Sequence, residues 1–257
     1  MIRAAVSVEW LKLRRSPTAW ITAAIVGLAV PAMTAGFMAA ARLGPTDRPL
    51  ALKINAMLIG EGWTAYLGML AQILSVAMVM GAGFVGAWSF GREFTDHTVA
   101  SLFALPTSRA TIAGAKFVVL ASWAAVVCAV VMVAAFALAP VAGLPLPGLD
   151  DTGLALKVLA VGVTGALLST PMALVASVAR GALPAIAVLI LIVVATQIIT
   201  LVGFGSWFPY AAPSLWAGMG GQEAAALIQP VHLALVPVMS ALATAATIWR
   251  WDRMQVA

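Results

Sequence analysis

The sequence predicts an all-α membrane protein: one domain over 1–257 with six transmembrane helices, an amphipathic helix ahead of span 1 and another between spans 2 and 3. Three observations predict it. Hydrophobic residues fill 63% of the 257 positions and charged residues only 9%. A soluble domain carries roughly 25% charged residues, so a water-facing surface could not be covered. Runs free of Asp, Glu, Lys and Arg extend over 16–41, 62–91, 117–149, 158–179 and 181–222, and a sixth, 224–249, is interrupted only by His232. A hydrocarbon core about 30 Å thick needs about 20 such residues per helix. The runs do not alternate, which favours helices over a barrel. Finally, the basic residues are lopsided. With the N-terminus inside, Arg3, Lys12, Arg14, Arg15, Arg92, Arg109, Lys116, Arg180, Arg250 and Arg253 are inner, and only Arg42, Arg48, Lys53 and Lys157 are outer. That bias predicts a multi-pass protein of the cell (inner or plasma) membrane with both termini cytoplasmic. It also explains the net charge of +5 as a lipid-facing pattern and not a nucleic-acid surface.

The elements follow in order. Over 1–16, Ile2, Val6, Trp10 and Leu13 fall at helical spacing with Arg3, Ser7 and Arg14 elsewhere, which predicts an interfacial helix. Its charges run to Arg15, unlike a cleaved leader, so it is read as retained. Ser16-Pro17 is an N-cap followed by Pro at the first helical position and opens span 1, about 17–41. Span 2 covers about 62–90 and span 3 about 109–139, opened by the caps Thr107-Ser108. The breaker-rich PVAGLPLPGLDD over 140–151 is an outer turn, and Asp150 or Asp151 can cap span 4, about 152–179. Arg180-Gly181 turns into span 5, about 182–203. The apolar but Gly- and Pro-broken stretch 203–227 cannot be one straight helix, and is read as short outer re-entrant segments. Span 6 is about 228–249. The segments 42–61, 140–152 and 204–227 are outside. Trp20, Trp88, Trp249 and Trp251 sit near the inner boundary, where indole rings favour the interface.

Several chemistries are missing from the sequence. No HExxH, GxSxG or GxxxxGK[ST] motif occurs, so nothing marks a catalytic site or one for ATP. Two isolated histidines and the single Cys128 supply no metal-ligand cluster, so no metal or cofactor is expected on this chain. Span interiors are read as free of acids and bases, where an ion-coupled carrier would keep them. His232 is read as a satisfied helix-end histidine.

The most polar long piece is the stretch between spans 2 and 3. Val99, Leu102 and Phe103 are spaced i, i+3, i+4, with Phe94 and Leu105 extending the apolar set and Arg92, Glu93, Asp96 and His97 crowding the first turns. The pattern predicts an amphipathic helix over 92–105, stopped by Pro106, with an apolar ridge suited to a protein groove.

These residues carry a resemblance. EWLKLRRSP over 9–17, GREFTDHTVASLFALPTSRATIAGAK over 91–116 and WFPYAAPSLW over 207–216 resemble the ABC-2 type permease family, the membrane subunits of ATP-binding-cassette exporters. The resemblance implies an elbow helix over 1–16, with Glu9, Trp10, Lys12 and Arg15, and a coupling-helix region over 91–109. Gly91, Arg92, Glu93, Phe94, Thr98, Leu102, Leu105, Pro106, Ser108 and Arg109, with Lys116, would couple to ATPase subunits. His97 stands where many members of that family carry Gly. The partners implied are two nucleotide-binding ATPase subunits, which would hold ATP and Mg, and a second permease subunit, identical or not. A path along spans 2 and 5 would be lined by Gln72, Ser75, Thr196, Gln197 and Thr200. An amphipathic or lipophilic substrate is expected, such as a drug, peptide antibiotic or lipid-like molecule. Pattern alone leaves two other readings open, a secondary transporter or channel and a non-transporting scaffold that docks an ATPase.

Overall fold

The computed structural model describes residues 2–43, 52, 54, 58–103, 106–148 and 151–254. Among them, six helices are long and apolar enough to cross a membrane: Pro17–Leu43, Gly62–Thr95, Arg109–Leu138, Thr152–Val178, Ala182–Leu201 and Pro230–Asp252. These are spans 1 to 6. Helix α1 (Ile2–Arg14) precedes them. Span 1 is α2 (Pro17–Ala24), a π turn (Ile25–Ala29) and α3 (Val30–Leu43). Span 2 is α4, the short α5 (Val99–Phe103) follows, and span 3 is α6. Span 4 is split into α7 (Thr152–Leu168) and α8 (Pro171–Val178), and span 5 is α9. Helices α10 (Ala212–Trp216) and α11 (Gly221–Ala226) precede span 6, α12.

Local chemistry explains the boundaries. The Ser16 hydroxyl accepts the Ala19 amide at 3.3 Å and the Ser108 hydroxyl accepts the Thr111 amide at 3.2 Å, so both expected caps form. Asp151 occupies the N-cap position of α7 without capping it; its carboxylate accepts the Gly148 amide at 2.8 Å instead, and Asp150 lies outside the described residues. Pro171 has no amide for the Leu167 carbonyl four residues back. The Thr170 amide and hydroxyl take that carbonyl at 3.1 and 2.8 Å, and the helix breaks there. Pro31 likewise follows a π turn, one of the adjustments by which helices absorb a proline. His232 is satisfied as a helix-end residue: its Nδ1 accepts the Gln229 amide at 3.1 Å.

Span 2 is the central helix, with 67% of its most apolar window buried, against 11% for span 5. Glycines let its neighbours approach. A Cβ added at Gly81 would lie 2.8 Å from Val26, at Gly83 2.7 Å from Leu189, and at Gly165 2.9 Å from Met78. Two apolar clusters fill the bundle: one joins spans 1 to 4 with Ala217, the other joins spans 2 to 6 around Phe90 and Trp251.

Three expectations are corrected here. The helix expected over 92–105 is not continuous: span 2 runs through Arg92 and Glu93 to Thr95, and α5 begins only at Val99. Between them His97 adopts φ 54°, the left-handed conformation that stops a helix. Span interiors are not free of charge, since Glu93, Lys116 and Lys157 all lie within spanning helices. Trp251, expected at the membrane interface, points inward and is wholly buried, its indole donating to the Ser177 hydroxyl at 2.8 Å.

Candidate functional site

The site sits at the end of the bundle that carries α1, α5 and the last turn of span 6. Its centre is Lys116, two turns into span 3 and 1% exposed. An ammonium has three donors, and Lys116 uses all of them: Glu9 Oε2 at 2.7 Å, Glu93 Oε1 at 2.8 Å and the Ser89 carbonyl at 3.0 Å. Lys12 bridges the same two acids, with Nζ 2.8 Å from Glu9 Oε1 and 2.8 Å from Glu93 Oε1. The Thr98 hydroxyl donates to Glu93 Oε2 at 2.7 Å. Two carboxylates and two ammoniums therefore alternate in a closed, neutral knot.

Burial of such charges is tolerated because each is paired and hydrogen-bonded. Burial alone would lower the Lys12 pKa, but hydrogen bonds and charge from Glu9 and Glu93 outweigh it and leave the group above the usual lysine value. Phe90 and Trp251 present ring faces to Lys116 at 5.8 and 6.0 Å, which adds cation–π attraction. The knot thereby ties α1 (Glu9, Lys12), the end of span 2 (Ser89, Glu93), the turn before α5 (Thr98) and span 3 (Lys116), and packs against the end of span 6.

The remaining predicted coupling residues divide into inward and outward groups. Gly91 lies against the turn between spans 4 and 5, where an added Cβ would collide with the Ala182 amide nitrogen. Phe94 and Leu102 pack on the bundle's own apolar cluster, with Phe94 edge-on to Trp251 at 6.4 Å between centroids. Of the apolar set expected to face a partner, Phe94 and Leu102 therefore turn inward, because the bundle offers them burial. The Arg109 guanidinium donates to the Met254 carbonyl, and so ties the start of span 3 to the end of span 6. Arg92 pairs with Asp96 at 3.4 Å and stacks over Trp88 at 4.7 Å. The outward face consists of Asp96, His97, Thr98, Ser101, Pro106 and Ser108, all exposed. Leu105 lies outside the described residues.

On α1 the buried stripe is also rotated from the expected one. Glu9 and Leu13 are buried, while Ile2 and Trp10 are 52% and 41% exposed and Arg15 is exposed. The paired acid on α1 shares the protein side with Leu13 and Val6, while Ile2 and Trp10 face outward. Lys116 was legible as a family position but not as the centre of a knot; its partners lie 107 and 23 residues away, which no local period reveals.

Within the chain, three of the predicted path residues share one small void. Ser75, Thr196 and Gln197 meet around a void of about 20 Å³, shared with Tyr210 and Ser214. The Ser75 and Thr196 hydroxyls are taken by the Gln72 and Ile192 carbonyls, each at 2.7 Å. Gln72 is buried one turn away, and Thr200 packs against Gly205. Among the described residues no group of three or more His, Cys, Asp or Glu could hold a metal ion.

The family model for the ABC-2 family transporter protein matches residues 5–197, a stretch that contains every charged member of the knot. The chain belongs to the ABC-2 transporter family. Family membership and six apolar helices together make it a multi-pass membrane protein with an ABC transporter's membrane domain. No curated protein matches it as a relative. In ABC-2 terms the knot lies where the resemblance put the elbow and coupling regions, and it joins the two.

Proposed function

We propose that the chain is the permease subunit of an ABC exporter, powered by ATP and Mg held on separate ATPase subunits and working as a dimer of permease subunits. The observation that carries the proposal is the buried knot of Glu9, Lys12, Glu93 and Lys116. A push on the exposed face around α5 reaches Glu93 through Thr98 and the single turn at 96–97. From Glu93 it passes into the central span, the elbow helix and span 3. Rigid, paired elements of this kind transmit a rocking motion as a body. The basic asymmetry of the sequence supports a cytoplasmic position for this end, where ATP is available.

The substrate moves outward and is amphipathic or lipophilic. Span 5, with only 11% of its apolar window buried in the single chain, leaves room for a path between two subunits, flanked by the polar residues of spans 2 and 5.

The reading is tested by affinity purification of the tagged chain from its native membranes, followed by reconstitution. A nucleotide-binding subunit co-elutes and its ATP hydrolysis responds to lipophilic compounds. Ser101→Arg, on the exposed face, lowers hydrolysis or association at least severalfold while the chain stays folded. Leu102→Asp places a charge against the apolar cluster and destabilises the chain by about 2–4 kcal/mol. Glu93→Arg strikes the knot and not the docking face. Substrate movement by the chain alone, without any ATPase, overturns the reading in favour of a secondary transporter.

A further inference from the structure

The opposite end of the bundle holds a pocket of about 420 Å³ that the coupling chemistry does not use. Thr64, Leu67 and Gly68 of span 2 form one wall, Lys157 of span 4 a second, and Trp216 and Gln222 of the segment before span 6 close it. Lys157 lies five residues into its helix, about 8 Å below the helix start. A lysine there usually reaches out to water or headgroups. This one lines the pocket instead, its ammonium 5.3 Å from the centre of the Trp216 ring. Among the described residues no carboxylate lies within 4.0 Å of it, in contrast to Lys12 and Lys116. Glu61, Asp151 and Glu223 are all described and none pairs with it. A half-buried cation that spends its stem on apolar walls and its charge on an open pocket favours an anion with an apolar body. Volume also fits, since ligand sites span roughly 300–1,000 Å³ and are mostly apolar with a few placed polar groups. At Gly68 an added Cβ would meet nothing within 4 Å, so the helix wall is open to the pocket.

We propose that this pocket binds an anionic amphipath: a carboxylate or phosphate pairs with Lys157, Thr64 and Gln222 supply hydrogen bonds, and the apolar body lies along Leu67 and Trp216. The inference rests on the pocket alone and stands or falls separately from ATPase coupling.

The test uses the full chain in nanodiscs, titrated with dansyl-undecanoate and with the uncharged dansyl-undecanol. The wild type binds the carboxylate on the order of tenfold more tightly, the gain expected of a charge-assisted hydrogen bond. Lys157→Met removes that preference while binding of the alcohol persists, and Lys157→Arg keeps it. Gly68→Leu weakens both probes by filling the space. Equal binding of acid and alcohol by the wild type overturns the proposal, whether or not any variant folds. An undiminished preference in a folded Lys157→Met protein overturns it too. Nanodiscs of phosphatidylcholine alone and with phosphatidylglycerol identify the source of the anion. Competition by phosphatidylglycerol supports the site with a bilayer lipid as its occupant; its absence supports the site with a free amphipath.

Discussion

At the scale of single residues, the chain concentrates its electrostatic risk in four side chains. Glu9, Glu93 and Lys116 are 5%, 2% and 1% exposed, so loss of one partner leaves an uncompensated buried charge, which costs about 3–5 kcal/mol. Lys116→Met leaves two acids sharing Lys12, and Glu93→Leu leaves two ammoniums on Glu9. The double variant E93L/K116M leaves the neutral Glu9–Lys12 pair. Thermal unfolding in detergent is therefore expected to show large losses for each single change and a loss for the double well below their sum. Simple additivity would show that the four charges do not act as a unit. His97 is the other residue-scale surprise. Its φ of 54° is a conformation that glycine adopts freely, so His97→Gly is expected to be tolerated, and His97→Val to cost about 1–3 kcal/mol in the same assay.

At the scale of elements, close approach of backbones decides where the helices can lie. Gly91 meets the backbone of Gly181 and Ala182, which cannot swing aside as a side chain would. Gly91→Ala is expected to lower stability and membrane yield sharply, despite alanine's better helix propensity. Gly114→Ala, in span 3 with open space at its Cβ, is expected to be neutral or stabilising by up to about 1 kcal/mol. The reverse ranking would show that the packing at Gly91 does not hold in the bilayer. Element ends were legible where a cap dictates them, as at Ser16 and Ser108. The start of α5 was not, because the left-handed turn at His97 carries no sequence period, and Arg92 and Glu93 read equally well as the end of one helix or the start of the next.

At the scale of the whole molecule, the two ends differ in kind. One end gathers α1, α5 and the knot, and the other gathers α10, α11 and the Lys157 pocket. Single cysteines at Ser101 and Glu223, in a Cys128→Ser background, test which end faces which compartment. Cys128 is buried, so its loss leaves the surface unchanged. An impermeant thiol reagent added to intact cells is expected to label position 223 and spare position 101. Labelling of 101 alone would invert the orientation.

The sequence by itself determined the six spans, the caps at Ser16 and Ser108, and the ABC-2 resemblance. Each of these is written in contiguous residues: apolar length, a capping hydroxyl, a local motif. Only the tertiary structure decided which faces turn inward. It set Glu9 and not Trp10 against the bundle, folded Phe94 and Leu102 onto their own core, and brought Glu9, Glu93 and Lys116 together from three distant helices. In lipid both sides of a helix are apolar, so hydrophobic periodicity no longer separates core from surface. The choice then falls to paired charge and to the close fit of small residues, which are relations between helices and exist only once the chain has folded.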